Sequence, residues 1–466
     1  YILARAMAMT GIMPLILMHL IKYRHSWLRM FFSLINVTVY SKKNIFTLLL
    51  ILVIGMTVHS QPARLLSKDV LKEKREKIYR NLVQQSIIGN LSKPLTDSTS
   101  EDWESAFSAM ELIRYHSAWA DQQIILAADR AFDLPASFQS SLLELLYANY
   151  PGTFTEPVQK LFQRTNDESI ALLCAIYLVN KNTSATEAAM IRNQALNRFP
   201  TGNEHSLFEP FLLNLDQNNK PLTSEMIASF LQNDYLPGQV LMISFQRRNR
   251  DFPGIVLLRD SAGQFMKDSS GNIFHVPQLA RSISNLPGYV RNGNTPEGIF
   301  RMDGFDVSKS SFIGPTTNIQ LTMPFEFSAK HFFQSDLITD STWELEAYKN
   351  LLPLPCRDHV PFYESYYAGK AGRSEIIAHG STVNPAWYAS TPYYPITPGL
   401  GCLSTKEIWN EQTGERNESD QQLLVDVLKA AGGAKGYAIV INLDDARQPV
   451  TIADILPFLN RAHQNQ

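Results

Sequence analysis

The hydrophobic pattern changes once along the chain, near residue 235. Before that point, from about residue 65, apolar residues recur at the spacing of an amphipathic helix with one buried face. Two such stripes are Phe138, Leu142, Leu145 and Leu146, and then Ile170, Leu173, Cys174, Tyr177 and Leu178. We therefore predict an all-α helical domain over residues 61–235, in which Cys174 is a buried core thiol.

Breaks in the helical pattern occur where proline and glycine cluster, at Leu134-Pro135, Tyr150–Gly152 and Phe199–Gly202. Their spacing is uneven and gives no repeat period, so the sequence neither predicts nor excludes a helical array. Thr99, with Asp102 three residues later, predicts a capping box at the start of a helix. The buried side of that helix is expected to carry Trp103, Phe107 and Met110.

After residue 235, short β-branched runs predict strands at Val240–Phe245, Gly254–Leu258 and Tyr437–Asn442. Gln421–Ala431 predicts a helix that the following glycine pair ends. We predict a second, mainly β domain over residues 236–466. The fold class is thus multidomain α and β, with the helical domain first.

Two apolar stretches precede both domains, at about residues 6–21 and 45–58. Each is shorter than the roughly 20 residues that a membrane span needs. The second follows Lys42-Lys43 and ends at Val58–Ser60, which is the order of basic, apolar and small residues in a secretory signal. We predict that residues 1–60 are upstream sequence and a signal, so that the protein reaches the periplasm or cell envelope. A membrane anchor is the alternative, and Met30 is an alternative start.

Composition narrows the classes of partner and cofactor. The 42 Lys and Arg against 44 Asp and Glu give a formal net charge of −2, which argues against nucleic acid. The 3 cysteines are too few for a disulfide scaffold, and no paired Cys/His spacing predicts a metal site.

Cys402 is the best candidate nucleophile, because the glycines in Pro398–Ser404 let the backbone bend to present a thiol and nearby N–H groups to one carbonyl. A thiol needs a neighbouring base, since only the thiolate attacks. His379 follows the apolar run Ile376–Ala378, which predicts a strand with a histidine at its own end. His379 is therefore the candidate base.

Three segments follow one another in this region: Thr295–Phe300, Ala378–Ser381 and Gly401–Leu403. In order and spacing they resemble the signatures of the L,D-transpeptidase catalytic domain (YkuD type), a family that cross-links bacterial peptidoglycan. The resemblance covers roughly residues 239–443. It implies an L,D-transpeptidase-like β-rich fold, with Cys402 as the nucleophile and His379 as the base, and no metal or organic cofactor.

The resemblance also implies that Gly401 and Leu403 form a tight turn with Cys402, whose backbone amides face the oxyanion. Gly380 and Ser381 would support the histidine. The chain departs from the family at Gly399 and Leu400, where Ser and His are usual, and at Ser404, where Arg or Asn is frequent. These departures bear on activity and on substrate preference.

The segment between His379 and Cys402 is rich in proline and aromatic residues. It predicts either a substrate-side flap with stacking faces or a loop whose rings pack onto their own domain. The aromatic residues are Trp387, Tyr388, Tyr393 and Tyr394.

Other candidates for chemistry have less support. Cys356 precedes His359 by three residues but lacks a glycine turn, and His275 and His331 have the contexts of ordinary structural or surface residues. The charged run at residues 72–77 is expected to be a solvated helix face. Arg247, Arg248 and Arg250 could meet an anionic group, but charges at a strand end are expected to be solvated.

The sequence thus predicts cysteine-dependent acyl transfer on peptidoglycan stem peptides, at the bond between a diamino acid and a terminal D-Ala. Resolution by an amine makes an L,D-transpeptidase and resolution by water an L,D-carboxypeptidase, and both stay open. The alternative is a catalytically degenerate peptidoglycan-binding or scaffold protein, whose helical domain recruits a protein partner. A cysteine peptidase would share the Cys/His pair but leave Thr295–Gly298 unexplained. A stable Cys356–Cys402 disulfide would argue against the mechanism.

Overall fold

Helices come first in the part of the chain that the computed structural model describes, which is residues 64–179, 183–200, 207–217, 221–334 and 343–464. The predicted signal and the apolar stretch before it lie outside these residues. Among the helices of the described ranges, none has the length and apolar character needed to cross a membrane.

The helical region occupies residues 68–230. Its helices are α1 (Lys72–Asn81), α2 (Ser100–Ile113), α3 (Ala118–Arg130), α4 (Ala136–Asn149), α5 (Thr155–Arg164), α6 (Glu168–Leu178), α7 (Ala185–Arg198), α8 (Glu209–Gln217) and α9 (Ser224–Phe230). Leu82–Gly89 continues α1 as π-helical turns.

Burial confirms the predicted face of α4, because Phe138, Leu142, Leu145 and Leu146 are each at most 1% exposed. In α6 burial extends all around the helix, from Ile170 to Leu178. The predicted one-sided stripe is therefore wrong for α6, because this helix lies inside the helical core. Cys174 lies in it and is fully buried, as predicted.

The start of α2 is confirmed at Ser100, but its predicted capping box is wrong. The reciprocal hydrogen bonds join Thr96 and Thr99, around the short 3₁₀ turn that precedes the helix. Asp102 instead forms an ion pair with Lys93 at 2.8 Å. The buried side of α2 carries Trp103, Phe107 and Met110 as predicted.

A nearly closed, eight-stranded sheet dominates the rest of the chain, in the order β3-β2-β1-β10-β4-β5-β6-β7. Its strands are β1 (Val240–Gln246), β2 (Gly254–Arg259), β3 (His275–Gln278), β4 (Gly298–Val307), β5 (Thr317–Thr322), β6 (Ile376–His379), β7 (Leu403–Ser404) and β10 (Lys435–Asn442). β1 pairs with β10, and β6 with β7, in parallel. A bridge from Leu279, just beyond β3, to Ser404 in β7 brings the two ends of the sheet together.

Smaller elements surround this sheet. β8 (Glu407–Trp409) and β9 (Arg416–Ser419) form a separate pair, and the helices are α10 (Ala329–Phe333), α11 (Leu345–Lys349), α12 (Glu364–Lys370), α13 (Asp420–Ala430) and α14 (Ile452–Gln464). A helical region followed by a mostly β region is the predicted α and β layout, and the three predicted strands and the predicted helix near residue 421 are confirmed.

The continuous apolar run of β1 has a simple cause, because both faces of the strand are covered. Leu241, Ile243 and Phe245 pack in one core with residues of α9, α12 and α14. Val240 and Met242 pack on the opposite face, with residues of α13. The sheet is thus a two-faced support for the residues at its strand ends.

The helical and β regions pack against each other within one compact unit that begins at Arg64. Leu286, Tyr289 and Val290, from the loop before β4, are buried in the core of the helical region. The hydroxyl of Tyr388 donates a hydrogen bond to the carbonyl of Leu112 in α2. Helices therefore lie close to the segments that carry His379 and Cys402.

Candidate active site

His379 and Cys402 are brought to one place by the parallel pair β6 and β7. His379 is the last residue of β6, as predicted, and lies opposite Ser404 in the register. Cys402 precedes Ser404 by two residues, and in an extended backbone the side chains of residues two apart point to the same face of the sheet. The fold therefore brings the predicted base and the predicted nucleophile together.

The space beside Gly399 is where these side chains converge. A Cβ built on Gly399 would lie 3.5 Å from Nε2 of His379, 3.8 Å from Cβ of Cys402 and 3.9 Å from Oγ of Ser404. These are ordinary van der Waals distances, so packing does not require glycine at this position. The Oγ of Ser404 is buried and has no hydrogen-bond partner among the described residues.

His379 is oriented as a proton acceptor. Its Nδ1 lies within hydrogen-bond distance of the carbonyl oxygen of Gly380, which can only accept, so Nδ1 carries the proton. In the neutral ring this leaves the lone pair on Nε2, the atom that lies beside Gly399. Burial lowers the pKa of His379, which favours the neutral ring at neutral pH.

Cys402 rests as a thiol. Burial raises its pKa, and the Glu375 carboxylate adds to this, while the backbone N–H of Ile377 and the guanidinium of Arg373 act in the opposite direction. The Sγ of Cys402 lies 3.8 Å from the carbonyl oxygen of Glu375. As a nucleophile this thiol would need a base. The predicted base, His379, lies on the other side of the space beside Gly399, and among the described residues no hydrogen bond joins its ring to Sγ.

The Thr295–Phe300 segment holds the turn that contains Cys402, the predicted nucleophile. Thr295 donates a hydrogen bond through Oγ1 to the carbonyl oxygen of Gly401 at 2.9 Å. Gly401 has a φ of 104°, a conformation that strongly favours glycine. Leu403 is buried in β7 opposite Ala378. The oxyanion role of the amides in this turn stays a prediction.

Gly401→Ala is expected to destabilise the protein by about 2–4 kcal/mol, through backbone strain and overpacking together. A Cβ there would lie 1.9 Å from Nη2 of Arg373 and 2.4 Å from the carbonyl oxygen of Gly293. Gly433→Ala is the matched control, because Gly433 has a φ of 92° but open space around the added Cβ. Urea unfolding of both variants measures the difference, and equal losses would contradict the close contact at Gly401.

Glu297, in the same segment, is a buried carboxyl that accepts hydrogen bonds from the backbone N–H of Asn442 at 2.8 Å and from its side-chain amide at 2.7 Å. Burial raises the pKa of Glu297 to about 7. The folded protein therefore retains a proton there that the unfolded chain loses near its ordinary pKa of 4.5. Glu297 thus contributes to a fall in stability as the pH rises from about 4.5 to about 7.

Glu297→Gln is expected to remove this contribution, which amounts to about 3 kcal/mol across that pH window. A weaker hydrogen bond from the glutamine amide would lower the unfolding free energy by the same amount at every pH. The informative quantity is therefore the slope of the unfolding free energy against pH. Urea unfolding of both proteins at several pH values between 4.5 and 7.5 measures it. Parallel curves would contradict the shifted pKa.

Gly380 and Ser381, the predicted supporting residues, make hydrogen bonds at the end of β6. The carbonyl of Gly380 fixes the tautomer of His379. Ser381 accepts a hydrogen bond from the backbone N–H of Val383 at 3.0 Å, and its carbonyl accepts one from the indole of Trp409 at 3.1 Å. These contacts anchor the turn that follows β6.

The aromatic loop between His379 and Cys402 packs mostly onto the protein. Tyr388 and Tyr393 are each 1% exposed and form a small core with Leu279 and Ile396. Their burial rules them out as stacking faces and corresponds to the second of the two predicted arrangements. Trp387 lies against Tyr79 of α1, with ring centroids 5.9 Å apart, and Tyr394 is 45% exposed.

A cavity of about 980 Å³ opens over the thiol and the imidazole. Its other wall comes from the helical region, through Ser108, Glu111 and Leu112 of α2 and Glu144 of α4. Burial raises the pKa of both Glu111 and Glu144, and Glu144 accepts a hydrogen bond from the amide of Asn292 at 3.1 Å. Sequence reasoning missed this wall, because no local pattern in α2 or α4 indicates what they face.

Arg373 is a further residue of the cavity that the sequence analysis did not identify. It precedes β6, is 8% exposed, and lines the same cavity as His379 and Cys402. Its position before a strand that ends in the candidate base is the one signal that could have indicated it.

The remaining candidates lie away from this cavity. Cys356 is buried beside Ser229, at 3.6 Å between Sγ and Oγ, and burial raises its pKa to about 12. All three cysteines are free thiols, so Cys356 and Cys402 are not joined. His275 contacts the carbonyl of Ile273 at 3.0 Å, and His331 contacts Asp303 at 2.9 Å.

The expectation of solvated charges after β1 is wrong for two of the three arginines. Arg247 is 2% exposed and forms ion pairs with Asp444 and Asp454. Arg250 is 5% exposed and donates to the carbonyl of Thr295 at 3.2 Å. In the charged run of α1, Arg75 is likewise buried and paired with Glu411, whereas its neighbours are mostly exposed.

Within the described ranges, no group of three or more His, Cys, Asp or Glu side chains is arranged to hold a metal ion. No protein-family profile, curated protein or solved structure matches this chain.

Proposed function

We propose that the protein is a cysteine acyltransferase in which Cys402 is the nucleophile and His379 the general base. The observation that carries this proposal is the convergence beside Gly399 of Nε2 of His379 and the Cys402 side chain, in a cavity large enough for a peptide. The fixed tautomer of His379 supports it, because the free lone pair is on the correct nitrogen.

The proposed reaction has two steps. In the first, the thiol proton moves to Nε2 of His379 while the sulfur attacks a peptide carbonyl, and backbone N–H groups at the Gly401–Leu403 turn hold the oxyanion. The carbon–nitrogen bond then breaks and the departing amine takes the proton from His379. In the second step an amine attacks the thioester and gives up a proton to His379. The carbon–sulfur bond then breaks, and His379 returns that proton to the departing sulfur, which restores the thiol. This chemistry needs no cofactor.

For the substrate we propose a peptidoglycan stem peptide, cleaved between the L-centre of a diamino acid and a terminal D-Ala. The support is the resemblance to the L,D-transpeptidase domain in the segments that contain Thr295, His379 and Cys402, which the fold brings together. The protein would then act in the periplasm or cell envelope, secreted or anchored by its N-terminal segment. Water in place of the second amine would make it an L,D-carboxypeptidase.

A second candidate is a peptidoglycan-binding or scaffold protein without turnover. The observation that favours it is the uncharged resting pair, because burial raises the pKa of Cys402 and lowers that of His379. In this case the helical wall of the cavity would bind peptide, or the helical region would recruit a protein partner.

Incubation of the purified protein with a disaccharide-tetrapeptide, followed by chromatography and mass spectrometry, separates these functions. A cross-linked dimer with free D-Ala supports the transpeptidase, and a disaccharide-tripeptide with free D-Ala supports the carboxypeptidase. Unchanged tetrapeptide that binds in equilibrium dialysis supports the scaffold and overturns the acyltransferase.

A further inference from the structure

Arg373 is a buried cation beside the nucleophile turn. Its guanidinium donates four hydrogen bonds, all to backbone carbonyls of the loop before β4. The acceptors are Gly288, Val290, Gly293 and Asn294. Carbonyl dipoles solvate the guanidinium without cancelling its charge, so the positive charge stays available to neighbouring anions.

The contact with the nucleophile turn is close. A Cβ on Gly401, the residue before Cys402, would lie 1.9 Å from Nη2 of Arg373. The carbonyl of the same glycine is held by Thr295, which follows the loop that Arg373 binds. Arg373 therefore connects the start of β6, the Thr295 loop and the thiol turn.

We propose that Arg373 is a positioning residue that holds the Cys402 turn against the Thr295 loop and supplies the fixed positive charge that stabilises the Cys402 thiolate. This inference rests on the acyltransferase function proposed above. It explains how a thiol that rests protonated, with Leu400 and Ser404 beside it and no cation at either position, can still form the thiolate when it reacts.

The charged groups around the thiol are compatible with this role. Burial lowers the pKa of Arg373 to about 10, while Glu364 and the Cys402 thiolate raise it, so the guanidinium stays protonated at neutral pH. Glu375 opposes the effect of Arg373 on the thiol, and His379 is neutral beside it. The other charged groups that line the cavity are Glu111, Glu144 and Arg291.

The test is the rate at which iodoacetamide alkylates Cys402, followed by peptide mapping from pH 6 to pH 9.5. Arg373→Gln is expected to slow alkylation roughly tenfold at pH 7, which corresponds to about one unit of thiol pKa. Arg259→Gln is the matched control, because Arg259 is likewise a buried arginine whose guanidinium donates to backbone carbonyls, and it does not line the cavity. Its alkylation rate should stay within about twofold of wild type.

Arg373→Lys keeps the test decisive if the glutamine variant does not fold. Alkylation should match wild type at low pH, where the lysine is charged, and fall behind as the pH rises through the pKa of that lysine. A purely structural role would give a constant ratio of the two rates at every pH. That constant ratio, or an Arg373→Gln rate equal to wild type, would overturn the proposal. Alkylation needs no acyl donor, so a protein that releases no D-Ala still answers this question.

Discussion

Cys402→Ala is expected to lower D-Ala release from a disaccharide-tetrapeptide by about 10⁴-fold or more, because the atom that forms the thioester is removed. Cys402 lines the cavity together with His379, whereas Cys174 and Cys356 are buried in two separate cores. Alanine is smaller than cysteine at a site that is already open to a cavity, so the fold should persist. Steady-state release of D-Ala, measured with a coupled oxidase, gives the rate.

The matched control for this variant is Cys356→Ala, which removes a thiol that contacts Ser229 and the carbonyl of Met226 instead of the cavity. Its activity should stay within about threefold of wild type, after correction for the folded fraction. If Cys402→Ala retained activity, or if Cys356→Ala lost it while folded, the nucleophile would be misassigned.

The second large effect is expected for His379→Gln, which should lower the rate by about 10²–10⁴-fold. Glutamine can still donate to the Gly380 carbonyl, but it has no lone pair basic enough to take the thiol proton. His331→Gln is the control, because His331 is a partly exposed residue paired with Asp303. Rates of both variants at saturating tetrapeptide separate a loss of chemistry from a loss of binding. Equal rates in the two variants would exclude His379 as the base.

The pH profile of the proposed activity, measured on the wild-type protein, provides an independent check on His379. The imidazole acts only when it is neutral, and its pKa is lowered by burial from the ordinary value of 6.5. Activity should therefore persist below pH 6.5 and decline only as the pH falls through this lowered pKa. An acidic limb centred above pH 6.5 would contradict a buried, neutral base.

Much of the fold could be predicted because its signals are local. The spacing of Phe138, Leu142 and Leu146 fixes one face of α4, and the β-branched run at β1 reflects burial on both sides of a strand. Where prediction was wrong, a tertiary contact decided the outcome. The all-round burial of α6 and the ion pairs of Arg247 depend on neighbours that are distant in sequence.

The residues of the candidate site differ in the same way: some lie in local sequence motifs, and others reach the site only through tertiary packing. Cys402, His379 and Thr295 could be identified because each lies in a short motif. Arg373 and the carboxyl groups of Glu111 and Glu144 could not, since they reach the cavity only through the packing of the helical region against the loop before β4. Tyr388 and Tyr393 show that a local pattern can also mislead. Their segment was compatible with substrate contact, but the two rings form a small core instead.

The most direct test of the account is intact-mass spectrometry of the protein mixed with a disaccharide-tetrapeptide and quenched in acid, with peptide mapping of any adduct. We expect a mass increase equal to the disaccharide-tripeptide acyl group, located on the peptide that contains Cys402 and removed by hydroxylamine, as a thioester requires. An unmodified protein at every time point, or an adduct on another residue, would contradict it.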